Sequence, residues 1–426
     1  MNPWQHAALL SAVLCLASAV DGLAEDWPGW RGPRGDGSSL EEGVPIEWDV
    51  PAGKNVAWEA VIPGVGHASP VVSQDRVFVV SCLEDRSQRV LMALDRHTGR
   101  SLWQTVVLEA PLEKRHKLNS RASGTPAADG EHVYVTFLAP DFTSNTERTP
   151  GEMVVAAYDY SGKPKWVVRP GRFASTHGYC SSPVLFEDLV IVNGDHDGDS
   201  YIAALDKTTG ATRWKFARQH KTRSYVTPII RDIGGRTQML LSGSKCVVSL
   251  DPRTGGLHWE MDGPTEQFVA SPVYNGEYLF LTAGFPDHHI LAIRPDGTGK
   301  VGADQIVWRT TKNCSYVPSP VVVGDYFLVA ADDGIASCYA AKTGERLWVE
   351  RLAPHYSASL VTARGLVYFL ADDGAMKVVK PGPKYELLAE NSTGEDCYAS
   401  PAIANGQILI RGAERLFAIG VNPAAR

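Results

Sequence analysis

The sequence predicts an all-β protein, a single eight-bladed β-propeller whose blades are four-stranded antiparallel sheets. The first observation is a Ser/Thr-Pro pair followed by a short Val-rich run, which recurs along the chain from residue 69. The second is the spacing of these prolines, or of the residue in the equivalent position, which is 39 to 57 residues and typical of one blade. The repeated positions are Pro70, Pro126, Pro183, Pro228, Pro272, Pro320, Ser359 and Pro401.

Each repeat unit also contains short strand patterns with turn residues between them. In the third unit, Pro183 opens the inner strand and Trp214 lies in the outermost strand, with two apolar β-rich runs between them. Asp-Gly pairs at Asp333-Gly334 and Asp373-Gly374 favour tight turns between the second and third strands. A single sheet of this kind has two apolar faces, so the units are expected to stack, with each Trp packing on the next sheet.

The eighth unit predicts how the ring closes. After Pro401 the chain has room for only three strands, and its outermost strand is missing. Residues 55–62 around Trp58 have the same pattern as the outermost strand around Trp348. We therefore expect an N-terminal strand to complete the last blade, which leaves no open sheet edge.

The chain divides into three predicted parts. Residues 1–24 read as a signal peptide with an apolar stretch at Ala7–Val20 and cleavage after Ala19 or Ala24. Residues 25–53 form an extended lead-in rich in Gly, Pro and Trp, and residues 54–426 form the propeller. This predicts an exported, periplasmic or secreted protein, and no other apolar run is long enough to span a membrane.

Composition excludes one class of partner. The chain has 41 Lys plus Arg against 48 Asp plus Glu, a formal net charge of −7, and no long basic run. Binding of a polyphosphate backbone needs clustered positive charge, so nucleic acid is not an expected partner.

The closing motif of the units carries a family resemblance. Ala-Leu-Asp206-x-x-Thr-Gly210-x-x-x-Trp214 resembles the tryptophan-docking motif of propellers of the pyrroloquinoline-quinone (PQQ) type. That fold is shared by calcium-dependent quinoprotein alcohol dehydrogenases and by the non-enzymatic outer-membrane assembly scaffold of the BamB type. The segments 27–33 and 193–199 are also similar to exported PQQ-like repeat proteins of planctomycete-type bacteria.

The positions of the cysteines distinguish the dehydrogenase function from the scaffold function. The resemblance implies that a dehydrogenase covers its cofactor with a disulfide between adjacent cysteines, but no two cysteines are adjacent here, and no Cys-x-x-Cys-His haem site occurs. PQQ is therefore not an expected cofactor. Six of the seven cysteines lie outside the predicted signal peptide and allow fifteen complete disulfide pairings. Cys246 and Cys338, in apolar strands, are expected to be buried free thiols.

One loop has the spacing of a calcium site. Asn193, Asp195, Asp197 and Asp199 place oxygen ligands at alternate positions around a Gly, which suits a hard cation. The alternative is a polar hairpin turn, favoured by the absence of a distal Glu, since Ala204 occupies that position. Calcium is thus a possible cofactor.

Polar and aromatic residues cluster in the segments that precede the inner strands. These segments are expected to ring one mouth of the central channel, where they form a ligand or partner site or simply line a wet channel. The predicted rim consists of His67, Arg121, His177, Tyr179, Arg223, Tyr225, Tyr316, His355 and Tyr398.

The sequence therefore predicts a non-catalytic, BamB-like binding and assembly scaffold with protein partners in the cell envelope. Its expected working surface is the rim, with insertions at Glu109–Arg121 and Leu138–Gly151, the latter a long polar hairpin in blade two. A PQQ- and calcium-dependent oxidoreductase and a small-molecule or carbohydrate-binding propeller are the alternatives.

Overall fold

The structure is a computed structural model, and it describes residues 24–141 and 149–421. In these residues, eight antiparallel sheets surround a central channel, which confirms the predicted eight-bladed propeller. Two short 3-10 helices, Glu84–Arg86 and Ala303–Gln305, are the only helices described, and neither is long enough to cross a membrane. The predicted signal peptide lies outside the described residues, except for Ala24.

The strands are numbered in chain order, beginning with β1 (Val56–Val61). Blade one contains β2 (Val71–Ser73), β3 (Arg76–Leu83), β4 (Gln88–Asp95) and β5 (Ser101–Glu109). Blade two contains β6 (Ala127–Ala128), β7 (His132–Pro140), β8 (Thr149–Asp159), β9 (Pro164–Val168) and β10 (Arg172–Ser175). Blade three contains β11 (Val184–Phe186), β12 (Leu189–Gly194), β13 (Tyr201–Asp206) and β14 (Thr212–Ala217). Blade four contains β15 (Ile229–Ile233), β16 (Arg236–Gly243), β17 (Cys246–Leu250) and β18 (Leu257–Asp262).

The remaining blades follow the same order. Blade five contains β19 (Val273–Tyr274), β20 (Leu279–Ala283), β21 (His289–Ile293) and β23 (Ile306–Thr310). The short strand β22 (Gly299–Val301) lies between β21 and β23 in the chain but joins the sheet of blade four. Blade six contains β24 (Val321–Val323), β25 (Tyr326–Ala330), β26 (Ile335–Ala340) and β27 (Arg346–Arg351). Blade seven contains β28 (Val361–Ala363), β29 (Leu366–Leu370), β30 (Ala375–Val379) and β31 (Leu387–Ser392). Blade eight contains β32 (Ala402–Ala404), β33 (Gln407–Arg411) and β34 (Arg415–Ile419), together with β1.

The ring closes as the sequence predicts. Strand β1 pairs antiparallel with β34, so that Trp58 lies opposite Ala418, and the sheet order is β1-β34-β33-β32. The backbone N–H of Gly420 also donates to the carbonyl of Asn55 at 2.8 Å. The N-terminal strand therefore holds the C-terminal blade in the ring.

Two blades carry additional strands. In blade two, β7 and β8 pair as far as Pro140 opposite Gly151, and β10 pairs with the distal part of β8. The predicted hairpin insertion is thus confirmed for its described part, while residues 142–148 lie outside the described residues. In blade four, β22 adds in parallel to the outer edge of β18, with Gly299 opposite Trp259.

Tryptophans on the outermost strands join neighbouring blades, as expected from the motif. The indole N–H of Trp58 donates to the carbonyl of Arg96 at 2.8 Å, and its ring covers Gly99 in blade one. Trp103 and Gly162 repeat this arrangement between blades one and two. The same docking occurs at Trp166 and Trp308, which do not fit the spacing of the motif. The turn before Trp166 is one residue shorter, and β22 lies in the chain between β21 and the strand of Trp308.

A belt of hydroxyl groups joins the inner strands. The Ser or Thr before the repeated Pro donates its backbone N–H to the equivalent hydroxyl of the next blade at 2.8 to 3.2 Å in six pairs of blades. In this belt Ser359 is equivalent to Ser319 and Ser400, so the residue in the proline position of blade seven is Leu360, not Ser359. In the outermost strand of blade seven, Ala389 occupies the position that tryptophan has in other blades, opposite Val378.

The segment at residues 25–53 closes one end of the channel. Trp27 is fully buried and pairs with Val72 of blade one, and Ser39 donates its backbone N–H to Thr362 of blade seven at 2.7 Å. Between these contacts the chain crosses the channel, where Arg231 of blade four ion-pairs with Asp36 at 3.1 Å. We call residues 27–39 the plug.

Arg31 fastens the plug to the far wall of the channel. Its fully buried guanidinium donates to the carbonyls of Ser319 at 3.2 Å, Pro320 at 2.6 Å and Asp36 at 2.5 Å. Burial lowers the pKa of Arg31 to about 10, which still leaves it charged at neutral pH. A charge in this position is held by backbone dipoles, since carbonyl oxygens accept strong bonds from a guanidinium.

Replacing Gly99 by Ala is expected to destabilise the ring by more than a comparable replacement elsewhere. Gly99 has a φ of +70°, and an added Cβ would lie 2.5 Å from the Trp58 ring that closes the propeller. Gly324→Ala is the control, because its φ is +56° and the space around it is open. We expect a loss of about 1 kcal/mol for the control and about 2 kcal/mol more for Gly99→Ala, measured by urea unfolding. Equal losses would show that the Trp58 contact is unimportant.

Candidate functional site

A cavity of about 460 Å³ lies at the mouth of the channel, on the side opposite the plug. Its walls are the segments that precede the inner strands and the turns between the second and third strands of the blades. Its floor includes Trp30 of the plug, whose indole N–H donates to the hydroxyl of Ser271 at 3.0 Å. A cavity open on one side and closed on the other can hold a compact ligand or an inserted side chain.

The structure brings most of the predicted rim together in this cavity. The rim residues that line it are His67, His177, Arg223, Tyr225, Tyr316, His355 and Tyr398. Tyr179 is instead buried against Phe173, with ring centroids 5.0 Å apart. Arg121 points away to Glu84, at 2.5 Å.

Aspartates in two predicted turns hold the rim segments in place. The carboxylate of Asp332 accepts the backbone N–H of Tyr316 at 2.7 Å and of Val317 at 3.1 Å. The carboxylate of Asp372 accepts the backbone N–H of Ser357 at 2.7 Å and lies 2.7 Å from Nδ1 of His355. These turns therefore orient side chains of the cavity as well as reversing the chain.

Ring contacts order the opposite wall. His67 stacks on Tyr398 with centroids 4.7 Å apart, and His116 meets His177 edge-on at 5.7 Å. His116 belongs to residues 110–124, an irregular segment that also places Leu118 in the lining. A buried ion pair between Arg89 and Glu113 anchors this segment to blade one.

Several lining residues were not predicted as site residues. Asp332 directly precedes the predicted Asp333-Gly334 turn, and Trp30 belongs to the predicted lead-in. Gln267 precedes the inner strand of blade five, and Phe285 lies in the turn between the second and third strands of that blade. The one sequence signal for Trp30 was the unusual run Trp27-Pro-Gly-Trp30-Arg-Gly-Pro33.

The calcium site predicted from the loop at residues 193–199 is not assembled. Asp195 ion-pairs with Arg218 at 2.9 Å, Asp197 with Arg223 at 2.7 Å, and Asp199 with Lys221 at 2.6 Å. The Asn193 amide is turned into the protein and donates to Val226 at 2.9 Å. In residues 24–141 and 149–421, no group of three or more His, Cys, Asp or Glu side chains is placed to hold a metal ion.

Burial controls the charge of the cavity residues. Burial, together with the nearby guanidinium of Arg411, lowers the pKa of His67 to about 4. Burial also lowers the pKa of His177. It raises the pKa of Asp332, although the two backbone N–H groups on its carboxylate oppose that change. At neutral pH the imidazoles of His67 and His177 are therefore uncharged.

The six cysteines of the described chain are all free thiols. The prediction for Cys246 and Cys338 is confirmed, since both are buried in their strands. Cys180 lies in the cavity wall, and burial raises its pKa to about 12. A thiol with so high a pKa is a poor nucleophile at neutral pH.

The residues of the cavity do not fit PQQ with its cation. PQQ carries three carboxylates and needs positive charge around them. The one arginine in the lining, Arg223, is already ion-paired with Asp197. The one carboxylate in the lining, Asp332, belongs to no group of three or more His, Cys, Asp or Glu side chains that could hold a cation in the described residues. The donor set therefore supports no quinone chemistry.

Two solved structures resemble the fold. BamB from Moraxella catarrhalis superposes with a TM-score of 0.57 and 16% identity, covering 85% of this chain and 97% of that one. Quinohemoprotein alcohol dehydrogenase from Comamonas testosteroni superposes with a TM-score of 0.62 and 12% identity, covering 93% and 81%. At these identities the similarity establishes the fold alone.

Sequence comparisons identify the family to which the chain belongs. The curated outer membrane protein assembly factor BamB of Burkholderia pseudomallei is 29% identical over 109 residues, a match that covers 25% of this chain and 28% of that protein. The family model PQQ_2, described as outer membrane protein assembly factor BamB, matches residues 41–144, 115–294 and 290–381. These matches cover most of the propeller, and the chain therefore belongs to this BamB-type family of PQQ-like repeat proteins.

Proposed function

We propose that this protein is an exported binding and assembly scaffold that holds a segment of a cell-envelope protein in the channel-mouth cavity. The observation that carries the proposal is the cavity itself, walled by tyrosines and uncharged imidazoles and closed below by the plug. Rings of this kind provide apolar contact area together with hydrogen-bonding groups, a combination enriched where proteins bind each other.

The chemistry of the lining favours binding over catalysis. Asp332 is engaged by backbone N–H groups, Arg223 by Asp197, and Cys180 is protonated at neutral pH. His355 does pair with Asp372, but the hydroxyl of Ser357 donates to that same carboxylate at 3.0 Å and is not activated by the imidazole. The groups are arranged to hold one another in place, which suits a preformed binding surface.

Two further points support a role in the envelope. The sequence predicts a signal peptide at residues 1–24. The family model and a curated relative both carry the description outer membrane protein assembly factor. The proposed partner is accordingly a protein of the periplasm or outer membrane.

A photo-crosslinking amino acid placed at the mouth is expected to capture the partner in the native cells. Leu118 suits this probe because it lies in the cavity wall and is 40% exposed. The matched position is Asp325, an exposed turn residue between β24 and β25 at the other end of the channel. We expect one discrete adduct with an envelope protein from position 118 and none from position 325, as read by mass spectrometry.

Removing ring area from the cavity should weaken this adduct. Tyr398→Ala combined with Phe285→Ala is expected to reduce it about fivefold, since both rings line the cavity and Phe285 is 49% exposed. Tyr274→Ala, a tyrosine of the opposite face, is the control. An adduct of equal yield from both faces, or one unchanged by the double substitution, would contradict the proposal.

His67 should make the stability of the fold depend on pH. Its folded pKa of about 4 lies below the ordinary value of 6.5, so the unfolded chain binds this proton first as the pH falls. The stabilisation is complete above pH 6.5 and is lost between pH 6.5 and 4. We expect His67→Gln to remove about 2 kcal/mol of the difference in unfolding free energy between pH 7 and pH 4.5. Urea unfolding of both proteins at the two pH values measures this free-energy difference. An equal difference in the unaltered protein and in His67→Gln would refute the lowered pKa of His67.

A further inference from the structure

The carboxylates around the channel mouth fall into two groups. On blades one to four, acidic side chains near the mouth are paired with arginine or lysine; they are Glu84, Glu113, Asp195, Asp197 and Asp199. On blades six to eight, the acidic side chains of the mouth turns have no arginine or lysine partner in the described part of the chain; they are Asp332, Asp333, Asp372, Asp373, Glu395 and Asp396. The uncompensated negative charge is therefore on one side of the mouth.

Asp332 brings this negative charge into the cavity. Its carboxylate is held by the N–H groups of Tyr316 and Val317, and the side chain lines the cavity. A carboxylate taken out of water is costly unless a positive charge or several hydrogen bonds compensate it. Two backbone donors leave acceptor capacity on the two oxygens, since a carboxylate has about four lone-pair directions.

The other ionisable groups of the cavity do not supply the missing positive charge. Arg223 is neutralised by Asp197 at 2.7 Å, and burial keeps His67 and His177 uncharged at neutral pH. His355 acts on Asp332 only through space, because its Nδ1 pairs with the Asp372 carboxylate at 2.7 Å. A positively charged group from outside is the partner that the Asp332 carboxylate lacks.

The aromatic walls of the cavity also favour a positively charged group. The aromatic side chains that line the same cavity as Asp332 are Trp30, Tyr225, Phe285, Tyr316 and Tyr398. Aromatic faces attract ammonium and guanidinium ions, most strongly where water is excluded. The aliphatic stem of a lysine or arginine also packs well against such rings.

We propose that the cavity is a receptor for a basic side chain, in which the ammonium or guanidinium group of a partner's Lys or Arg ion-pairs with Asp332 between aromatic walls. The acidic turns of blades six to eight attract the basic segment towards the mouth, and Asp332 binds its inserted side chain. This inference rests on the proposed scaffold function and specifies the chemistry of the segment that is held.

Calorimetric titration of the full-length protein with blocked tripeptides tests the inference. The probes are acetyl-Gly-Lys-Gly-amide, acetyl-Gly-Arg-Gly-amide and the uncharged acetyl-Gly-norleucine-Gly-amide. We expect the lysine or arginine peptide to bind about tenfold more tightly than the norleucine peptide, because the latter lacks the ion pair and the cation–aromatic contact. Equal binding of the three, or no binding of any at millimolar concentration, overturns the inference.

Two substitutions locate the effect. Asp332→Asn keeps an oxygen that can accept the N–H of Tyr316 but removes the charge, and it should abolish the preference for the basic peptides. Asp325→Asn removes the same charge from the opposite face of blade six and should leave the preference intact. A preference that survives in Asp332→Asn overturns the inference. If Asp332→Asn does not fold, the comparison of lysine with norleucine on the unaltered protein decides the matter alone.

Two small molecules distinguish other occupants. Choline offers a cation without a peptide, and methyl α-glucoside offers hydroxyl groups without a charge. Tighter binding of either one than of both basic peptides overturns the assignment to a basic side chain. If the partner adduct from position 118 depends on Tyr398 and Phe285 but not on Asp332, the scaffold function stands while the basic-side-chain inference fails.

Discussion

The contact between an outer-strand tryptophan and a glycine of the next blade, seen at Trp58, Trp103, Trp166, Trp214 and Trp308, is the constraint on which the rest of the structure depends. The indole ring lies where a Cβ would otherwise be, and its N–H donates to a backbone carbonyl of the same neighbouring turn. Each of these contacts holds two neighbouring blades together, and the ring is closed by the last of them. Trp58 shows the consequence, because its strand comes from the N-terminus and locks the last blade to the first.

A closed ring of blades surrounds a channel, and in this protein one end of the channel is closed and the other is open. At one end the plug crosses between blades, with Trp27 buried and Arg31 bonded to carbonyls of blade six. At the other end the channel stays open as the cavity. Trp30 connects the two, since it belongs to the plug and forms the cavity floor. The cavity is therefore formed partly by a segment that lies outside the repeats.

The acidic side chains at the mouth have different partners in different blades, although they occupy equivalent turns of the repeat. In blade three the carboxylates of the acidic loop are paired with Arg218, Arg223 and Lys221. In blades six and seven the equivalent turn uses a single Asp to hold backbone N–H groups, as at Asp332. Identical acidic letters in a sequence thus have different roles, because their partners come from distant parts of the chain.

The sequence by itself determined the eight-bladed ring and its closure by residues around Trp58, since repeat spacing, turn residues and a missing strand are local features. It also placed seven rim residues in one cavity, because equivalent positions of successive blades meet at one end of the channel. Only the tertiary structure decided that Tyr179 and Arg121 face elsewhere, that the loop at residues 193–199 is closed by ion pairs, and that the plug supplies the floor. Those outcomes depend on contacts between residues far apart in the chain, such as Trp30 with Ser271, which no local pattern encodes.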